Sequence, residues 1–134
     1  YYSPKTTYMA KFFGECNLIE CNVNKINNDI ALLNSEVGNF KIKINKDIRI
    51  DDKIIFGIRP EEIKIIDKKN DSSLELKIKE VDFKGSTSTI NLLSNNSNKI
   101  IKIQNISSNI SKNFSEGDSI YIEFNSNSGN IFFK

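Results

Sequence analysis

The side chains that could carry out chemistry in this sequence are few. There is no histidine among the 134 residues, so Ser/His/Asp and Cys/His nucleophilic sites are excluded. Two pairs of adjacent carboxylates, Asp51-Asp52 and Glu61-Glu62, could in principle supply an acid and a base, but both lie in turn-like contexts rather than in a cleft. The glycine-rich motifs that bind phosphates are also missing. We therefore expect no catalysis by this chain on its own.

The two cysteines, Cys16 and Cys21, are not expected to form a metal site. A structural zinc site normally needs four Cys or His ligands, and the sequence cannot supply them. Two cysteines are also too few for a disulfide framework. We expect reduced thiols, a cytosolic protein and no metal or cofactor held by these residues.

Charge and hydropathy limit the partners of the chain. Nineteen basic and 17 acidic residues give a net charge of +2, which provides no strong field for capturing nucleic acid. No apolar run approaches the roughly 20 residues that a membrane-spanning helix needs. We expect no nucleic-acid partner and no direct insertion into a membrane.

One of the two prolines and one arginine stand side by side, as Arg59-Pro60, between two apolar runs. Pro60 fixes φ and reduces the freedom of a connection. Arg59 can bind two acceptors at once through its planar guanidinium. We favour a structural bend in which Arg59 pairs with Glu61 or Glu62, and keep as the alternative a contact made by Arg59 across a domain or subunit interface.

Only the beginning of the chain is predicted to be helical. Pro4 suits a first helical turn, Thr7 to Phe13 carries apolar and aromatic residues at helical spacing, and Gly14 ends the pattern. After Asn17 the chain consists of short β-favouring runs separated by Asn, Asp, Ser and Gly.

A degenerate internal repeat organises these runs. Ile30 to Asn34 recurs sixty positions later as Ile90 to Ser94, and the charged turn Asp51-Asp52-Lys53 is paralleled by Gly117-Asp118-Ser119. Five or so short antiparallel strands, repeated, are typical of small barrels. Each unit of about 60 residues would be marginally stable alone, so we expect the two to pack as one rigid body.

A short apolar strand ends each copy of the repeat. These strands are predicted at Ile63 to Ile66 and at Asn130 to Phe133, and each is expected to close its own copy. The polar run from Lys68 to Ser73 is predicted to connect the two copies.

Three segments of the chain resemble one protein family. Tyr2-x-x-Pro4-x-x-x-Tyr8-Met9-Ala10-x-Phe12-Phe13-Gly14-Glu15-x-Asn17 resembles the segment that follows the nucleotide-binding domain in ATPase subunits of bacterial ABC importers. Phe56-Gly57-Ile58-Arg59-Pro60-Glu61-Glu62-Ile63 is similar to the signature of their C-terminal regulatory (TOBE) domain. Val81-Asp82-Phe83-Lys84-Gly85-Ser86-Thr87 and the strand after it resemble a later strand pair of that domain.

This resemblance implies a fold and a set of partners. It implies a mainly β chain of two OB-like units packed together, spanning 17–67 and 68–134, with 1–16 as the end of a linker helix from a missing ATPase domain that binds ATP and Mg²⁺. It implies a homodimer that contacts importer transmembrane subunits through its ATPase domains, in the cytoplasm against the cell membrane. Within the family, F-F-G-E-x-N looks most like the spermidine/putrescine branch, with sugar and iron importers as alternatives.

Two groups of candidate site residues follow. The candidates for an interface or for coupling between domains are Asn17, Gly57, Arg59, Pro60, Glu61, Glu62, Phe13 and Gly14. The candidates for binding an oxyanion, by analogy with molybdate-binding relatives, are Lys84, Ser86 and Thr87.

Two other functions remain as alternatives. The chain could be a small-ligand sensor for an oxyanion or a polyamine. Polyamine capture would need several carboxylates in one groove, for which the candidates are Glu15, Glu20, Asp51, Asp52, Glu61 and Glu62. A nucleic-acid-binding barrel is a weaker alternative, because only two arginines could support it.

Overall fold

The computed structural model describes residues 16–44, 47–125 and 128–133. The predicted N-terminal helix, with Phe13 and Gly14, lies outside these residues. No helix in the described ranges is both long enough and apolar enough to cross a membrane. The strands are β1 Asn17–Asn27, β2 Ile30–Ser35, β3 Gly38–Lys43, β4 Lys53–Ile58, β5 Ile63–Ile66, β6 Leu74–Lys84, β7 Thr87–Leu93, β8 Ile100–Ser107, β9 Ser119–Phe124 and β10 Asn130–Phe133.

Alternation of side chains explains why these segments form strands. In β6, Leu74, Leu76 and Ile78 are buried while the residues between them are exposed. In β4, by contrast, consecutive residues from Phe56 to Ile58 are all buried. Alternating strands have one face in water, whereas a continuous buried run indicates a strand covered on both sides. The end of β4 is thus covered on both faces.

The strands form two antiparallel five-stranded sheets of the same design. The first sheet has the order β10-β4-β1-β2-β3, and the second has the order β5-β9-β6-β7-β8. Each strand of one sheet has a counterpart at the same position in the other, since β1 to β4 correspond to β6 to β9. The predicted β class, the two units and the internal repeat are confirmed.

The prediction that each closing strand completes its own copy is wrong. β5 follows β4 in sequence but pairs with β9 in the second sheet, and β10 follows β9 but pairs with β4 in the first. The Pro60–Glu62 3₁₀ turn makes the crossing, and residues 59–62 have none of the positive φ angles that a tight two-residue hairpin loop needs. The chain therefore crosses to the other sheet. The division at 67/68 stays a prediction, although neither sheet is built from one side of it alone.

The repeated charged turn is confirmed in atomic detail. The Asp51 N–H donates to the Val23 carbonyl at 2.8 Å, and the Gly117 N–H donates to the Ile78 carbonyl at 2.7 Å. Asp51 and Gly117 both have positive φ, at 74° and 92°. The next residue in each copy is an aspartate whose Oδ2 accepts from a backbone N–H three residues earlier: Arg49 donates to Asp52 at 2.8 Å, and Ser115 donates to Asp118 at 2.9 Å.

The repeat is offset by one residue from the alignment that the sequence suggested. Val23 pairs with Leu33, and its counterpart Ile78 pairs with Leu92, so Leu33 corresponds to Leu92 and Ala31 to Ile90. All four of these β2 and β7 residues are fully buried. The sequence alignment had matched Ile30 to Ile90, which would make a half-buried position the equivalent of a buried one. A one-residue slip moves every side chain to the other face of a strand.

One continuous core joins the two sheets. At its centre three aromatic rings meet: Phe40 and Phe56 from the first sheet, and Phe124 from the second. The Phe124 centroid lies 4.9 Å from that of Phe40 in an edge-to-face contact and 5.4 Å from that of Phe56. Such ring pairs add about 0.5–1.5 kcal/mol beyond the area they bury. The two sheets therefore share their hydrophobic stabilisation.

We predict that Phe124→Ala destabilises both sheets at once. Removing this buried ring should lower the free energy of unfolding by about 3–5 kcal/mol. Far-UV circular dichroism and tyrosine fluorescence during urea unfolding should still show one coincident transition, because the core is continuous. Phe133→Ala, at a residue that is 37% exposed, is the control and should cost under about 1 kcal/mol. Two separate transitions in either variant would contradict a shared core.

Candidate functional site

The strongest candidate site is the point where the chain crosses from the first sheet to the second. β4 ends at Ile58, residues 60–62 form a single 3₁₀ turn, and β5 begins at Ile63. Pro60 is buried, and Arg59 before it has the extended conformation that a residue preceding proline prefers (φ −73°, ψ 146°). We call Asn17, residues 57–62 and Lys102 the joint.

Glu62 closes the crossing turn with two hydrogen bonds to Arg59, one through its side chain and one through its backbone. The Arg59 N–H donates to Glu62 Oε1 at 3.2 Å, and the Glu62 N–H donates to the Arg59 carbonyl at 3.0 Å. This reciprocal pair satisfies two groups that a short helical turn otherwise leaves unpaired. Glu62 is therefore bound to the backbone of Arg59, which explains how the turn keeps its shape.

Asn17 ties the first sheet to the second through its side-chain amide. Asn17 pairs with Ile58 at the start of β1, and its side chain reaches Lys102 in β8. Its Nδ2 donates to the Lys102 carbonyl at 2.9 Å, and its Oδ1 accepts from the Lys102 N–H at 2.8 Å. Asn17 is only 7% exposed. The amide thus acts as one residue of an extra strand beside β8, and its two bonds are shielded from water.

Burial and the charged residues of the joint both change the pKa of the Cys16 thiol. Burial raises the pKa of Cys16, the Arg59 guanidinium lowers it, and the carboxylates of Glu62 and Glu61 raise it, so that the net result is a rise from 9.0 to about 11. These effects place the three charged side chains within electrostatic range of Cys16. The half-buried residue that precedes β1 therefore senses the charges of the joint.

The return crossing, from β9 to β10, approaches the same place. Gly129 has a φ of 87°, and a Cβ at this position would lie 2.5 Å from Phe56 Cζ and 3.1 Å from the Gly57 carbonyl oxygen. Any side chain here would push β10 away from β4. Both crossings thus converge near the end of β4.

Six predicted coupling residues come together in the joint: Asn17, Gly57, Arg59, Pro60, Glu61 and Glu62. Sequence reasoning missed Lys102 and Gly129. Lys102 takes part through its backbone, which no side-chain pattern reveals, whereas Gly129 could have been suspected as a glycine before a short strand.

The predicted oxyanion residues lie elsewhere, at the tip of the β6–β7 hairpin. Lys84 and Ser86 are exposed, and Lys84 Nζ lies 3.4 Å from Asp82 Oδ2. The loop backbone is used internally, since the Ser108 hydroxyl donates to the Gly85 carbonyl at 2.6 Å and the Ser108 N–H to the Ser86 carbonyl at 2.9 Å. Ser88 is buried and hydrogen-bonded to Ser111. An anion site at Lys84, Ser86 and Thr87 stays a prediction.

The carboxylates proposed for polyamine capture do not share one groove. Asp51 and Asp52 precede β4 and Glu61 and Glu62 follow it, so the two pairs are roughly 20 Å apart along the strand. Within the described ranges, no group of three or more Cys, Asp or Glu side chains is arranged to hold a metal ion.

Comparison with known proteins identifies the family. A profile of the TOBE domain matches residues 56–132, more than half of the chain. The chain belongs to the TOBE domain family. Residues 57–62 of the joint lie at the beginning of the matched region, so the crossing turn is part of the TOBE domain itself.

Two known proteins similar to this TOBE domain are informative. It is 37% identical over 67 residues to the spermidine/putrescine import ATP-binding protein PotA of Fusobacterium nucleatum subsp. nucleatum, a match that covers 48% of this chain and 18% of that protein. Its fold is similar to that of the cytoplasmic molybdate-binding protein ModG, in a crystal structure with molybdate bound (TM-score 0.74, 7% identity, 90% of this chain and 98% of that one). At that identity, the likeness to ModG concerns the fold alone.

We predict that Asn17→Ala weakens the joint. The Lys102 N–H and carbonyl would lose their partners, which should cost about 1–3 kcal/mol in urea unfolding at pH 7. Asn17→Asp should be similarly destabilised at neutral pH, because a carboxylate faces the Lys102 carbonyl and cannot donate to it. That repulsion raises the pKa of the new carboxyl in the folded state above its unfolded value of about 4. The deficit should therefore shrink as the pH falls from that raised pKa towards about 4, and should not change further below it.

Asn22→Ala, at an exposed position of the same strand, is the matched control and should change stability by less than about 0.5 kcal/mol. If Asn17→Ala cost no more than this control, the amide bridge would contribute nothing to the joint.

We predict slow modification of the Cys16 thiol while the joint is intact. With a pKa of about 11, Cys16 should react at pH 8 roughly 100-fold more slowly than a cysteine of ordinary pKa, because only the thiolate is nucleophilic. The rate should rise about tenfold per pH unit up to about pH 11. Maleimide labelling of a Cys21→Ala background measures this. Rates equal to those of the urea-unfolded chain at pH 8 would contradict the packing of Cys16.

Proposed function

We propose that this TOBE domain is the regulatory domain of the ATP-binding subunit of an ABC importer for polyamines, and that it takes part in a homodimer of such subunits. The observation that carries the proposal is the 37% identity to PotA over 67 residues. It agrees with the resemblance of 2–17 to the segment after an importer nucleotide-binding domain. The whole importer, its substrate and its membrane subunits are part of the proposal.

The geometry of the joint supports a mechanical role. Cys16 is the described residue that precedes β1, and it lies within electrostatic range of Arg59, Glu61 and Glu62. A preceding ATPase domain would therefore be connected through the joint. Because Asn17 and the crossing turn hold both sheets, the regulatory domain would follow the movement of the ATPase domain as one body. Such a body can bias the opening and closing of a dimer when a ligand or partner binds one state better.

The proposed mechanism assigns the joint residues separate tasks. Pro60 and Glu62 keep the turn rigid, and Asn17 transmits force from β1 to β8. Arg59, with Glu61, is proposed to contact the neighbouring domain or subunit, where a guanidinium can bind a carboxylate through two donors. No bond is made or broken in this domain; ATP and Mg²⁺ would be bound by the ATPase domain.

We predict that cells need the gene of this protein, with an intact joint, to take up spermidine and putrescine. In the full-length protein, a phosphate-binding loop should lie upstream of residue 1. In a strain deleted for the gene, the full-length wild type should restore uptake of labelled spermidine, and Asn17→Ala should reduce it at least fivefold, the lower end of usual coupling strengths. Asn22→Ala should restore it fully.

The outcomes separate the parts of the proposal. A gene without a phosphate-binding loop would overturn the importer assignment. Restored uptake of a sugar or iron instead of spermidine would overturn the polyamine assignment. Full restoration by Asn17→Ala, at equal protein level, would overturn the mechanical role of the joint.

A second candidate is a ligand sensor, which the fold of molybdate-bound ModG favours. If the domain binds molybdate, a concentration 100 times Kd should raise its free energy of unfolding by about 2.7 kcal/mol. Calorimetric titrations of the domain with molybdate, spermidine and putrescine test this. Flat traces for all three would exclude the sensor and leave the importer proposal intact.

A further inference from the structure

The outer face of the first sheet carries a groove of about 630 Å³. Two rows of side chains cross β1, β2 and β3 there. The pairing of the strands places Lys25, Leu32 and Lys41 in one row and Asn27, Ile30 and Lys43 in the other. Leu32 and Ile30 are half-buried at the centre, and the other four residues are exposed at the sides. We call these two rows the basic groove.

The basic groove has an excess of positive charge. Lys25, Lys41 and Lys43 line it, and Asp29 is the acidic residue among its described lining residues. Asp29 Oδ2 lies 3.8 Å from Lys43 Nζ, and both side chains are more than half exposed. An exposed pair at this distance contributes little, so it does not neutralise the groove.

The second sheet has a groove of about 550 Å³ at the corresponding place, but its lining is different. The row that corresponds to Lys25, Leu32 and Lys41 is Glu80, Asn91 and Lys102. Its centre is polar, and Asn91 Nδ2 donates to Glu80 Oε1 at 3.2 Å. The inner residues, in contrast, are apolar in both sheets. An apolar centre flanked by lysines is therefore a property of the first sheet, not of the architecture.

Among the described residues, no hydrogen bond is made by the outward-facing peptide groups at the edge of the basic groove. Because the Ile44 N–H donates to the Asp29 carbonyl, alternation along β3 points the peptide groups of Lys41 and Lys43 away from β2. β3 is the last strand of its sheet. In the second sheet, the equivalent Lys102 groups are bound by Asn17. Ser72, which precedes β6, is the counterpart of Asn17 in the repeat and lines the groove together with Lys41. Among the described residues it makes no such pair with Lys41.

We propose that the basic groove binds an extended acidic segment of a partner protein, which adds to the edge of β3. Carboxylates of the segment pair with Lys25, Lys41 and Lys43, and an apolar side chain covers Leu32 and Ile30. The peptide groups of the segment bond to Lys41 as the Asn17 amide bonds to Lys102. Strand addition supplies affinity through the main chain and specificity through the groove. This inference does not depend on the importer assignment.

The groove fits an acidic peptide better than it fits a nucleic acid or an anionic membrane surface. Single-stranded nucleic acid is held by stacking on aromatic rings, and no aromatic residue is among the described residues that line the groove. A membrane surface would need lysines on a flat or convex face, whereas these lie around a depression with an apolar centre.

Fluorescence anisotropy with a labelled six-residue peptide of alternating Glu and Leu tests the proposal. The wild-type domain should bind it, and a peptide with Lys in place of Glu should bind at least tenfold more weakly. The double variant Lys41→Glu with Lys43→Glu should weaken binding at least tenfold. Leu32→Asn, which introduces the residue of the second sheet, should weaken it at least threefold. Binding should also weaken between 50 and 300 mM salt.

Lys102→Glu is the matched control, because Lys102 occupies the position of Lys41 in the second sheet. Its binding should be within twofold of wild type. Equal loss in this control would overturn the location, and no preference for the acidic peptide would overturn the charge argument. Tighter lysine-dependent binding of a thymidine oligonucleotide or of anionic vesicles than of the peptide would overturn the assignment of the partner. Circular dichroism establishes that each variant is folded.

Amide hydrogen exchange tests the mode of binding. The Lys41 and Lys43 amides should exchange at least fivefold more slowly with the acidic peptide present, while the Lys102 amide, already bonded to Asn17, should not change. Binding without protection at Lys41 would overturn the addition of a strand.

Discussion

The structure depends on the exchange of closing strands between two similar sheets. Each sheet takes its last strand from the other half of the sequence, so neither five-stranded sheet forms without the whole chain. A unit of about 60 residues buries too little surface to be more than marginally stable. The exchange removes this weakness, because unfolding one half would remove a strand from the other. The aromatic contact between Phe40, Phe56 and Phe124 adds a side-chain link between the same two sheets.

The exchange of strands requires the chain to pass from one sheet to the other, and the joint is where it does so. A chain that leaves one sheet for the other needs a connection that does not reverse, and Arg59-Pro60-Glu61-Glu62 supplies it without any positive φ. Asn17 then joins the two sheets a second time, through a buried amide at the edge of β8. Two links of different kinds at one place restrict rotation of one sheet against the other more than either would alone. This makes the beginning of β1 a suitable attachment point for a domain that moves.

The sequence predicted the β class and the repeat and named most of the residues that form the joint, because these depend on local patterns. Alternation of Leu74, Leu76 and Ile78 is visible in the letters, as are Arg59-Pro60 and the two charged turns. The partner of β5 was not predictable, since four apolar residues can pair with either sheet. The one-residue offset of the repeat was missed for a related reason: Ile30, Leu32, Ile90 and Leu92 are equally apolar, but the first two lie on the outer face and the last two on the inner one.

That difference between faces separates what the fold requires from what it leaves open. The inner positions, Ala31 and Leu33 against Ile90 and Leu92, are constrained because they fill one shared core. The outer positions are free of this constraint, and there the two sheets differ: Lys25 and Leu32 in the first stand against Glu80 and Asn91 in the second. Leu32 is half-buried among lysines outside the shared core, whereas Asn91 at the corresponding position donates a hydrogen bond to Glu80. The two outer faces therefore differ in what they can bind, although one backbone design produces both.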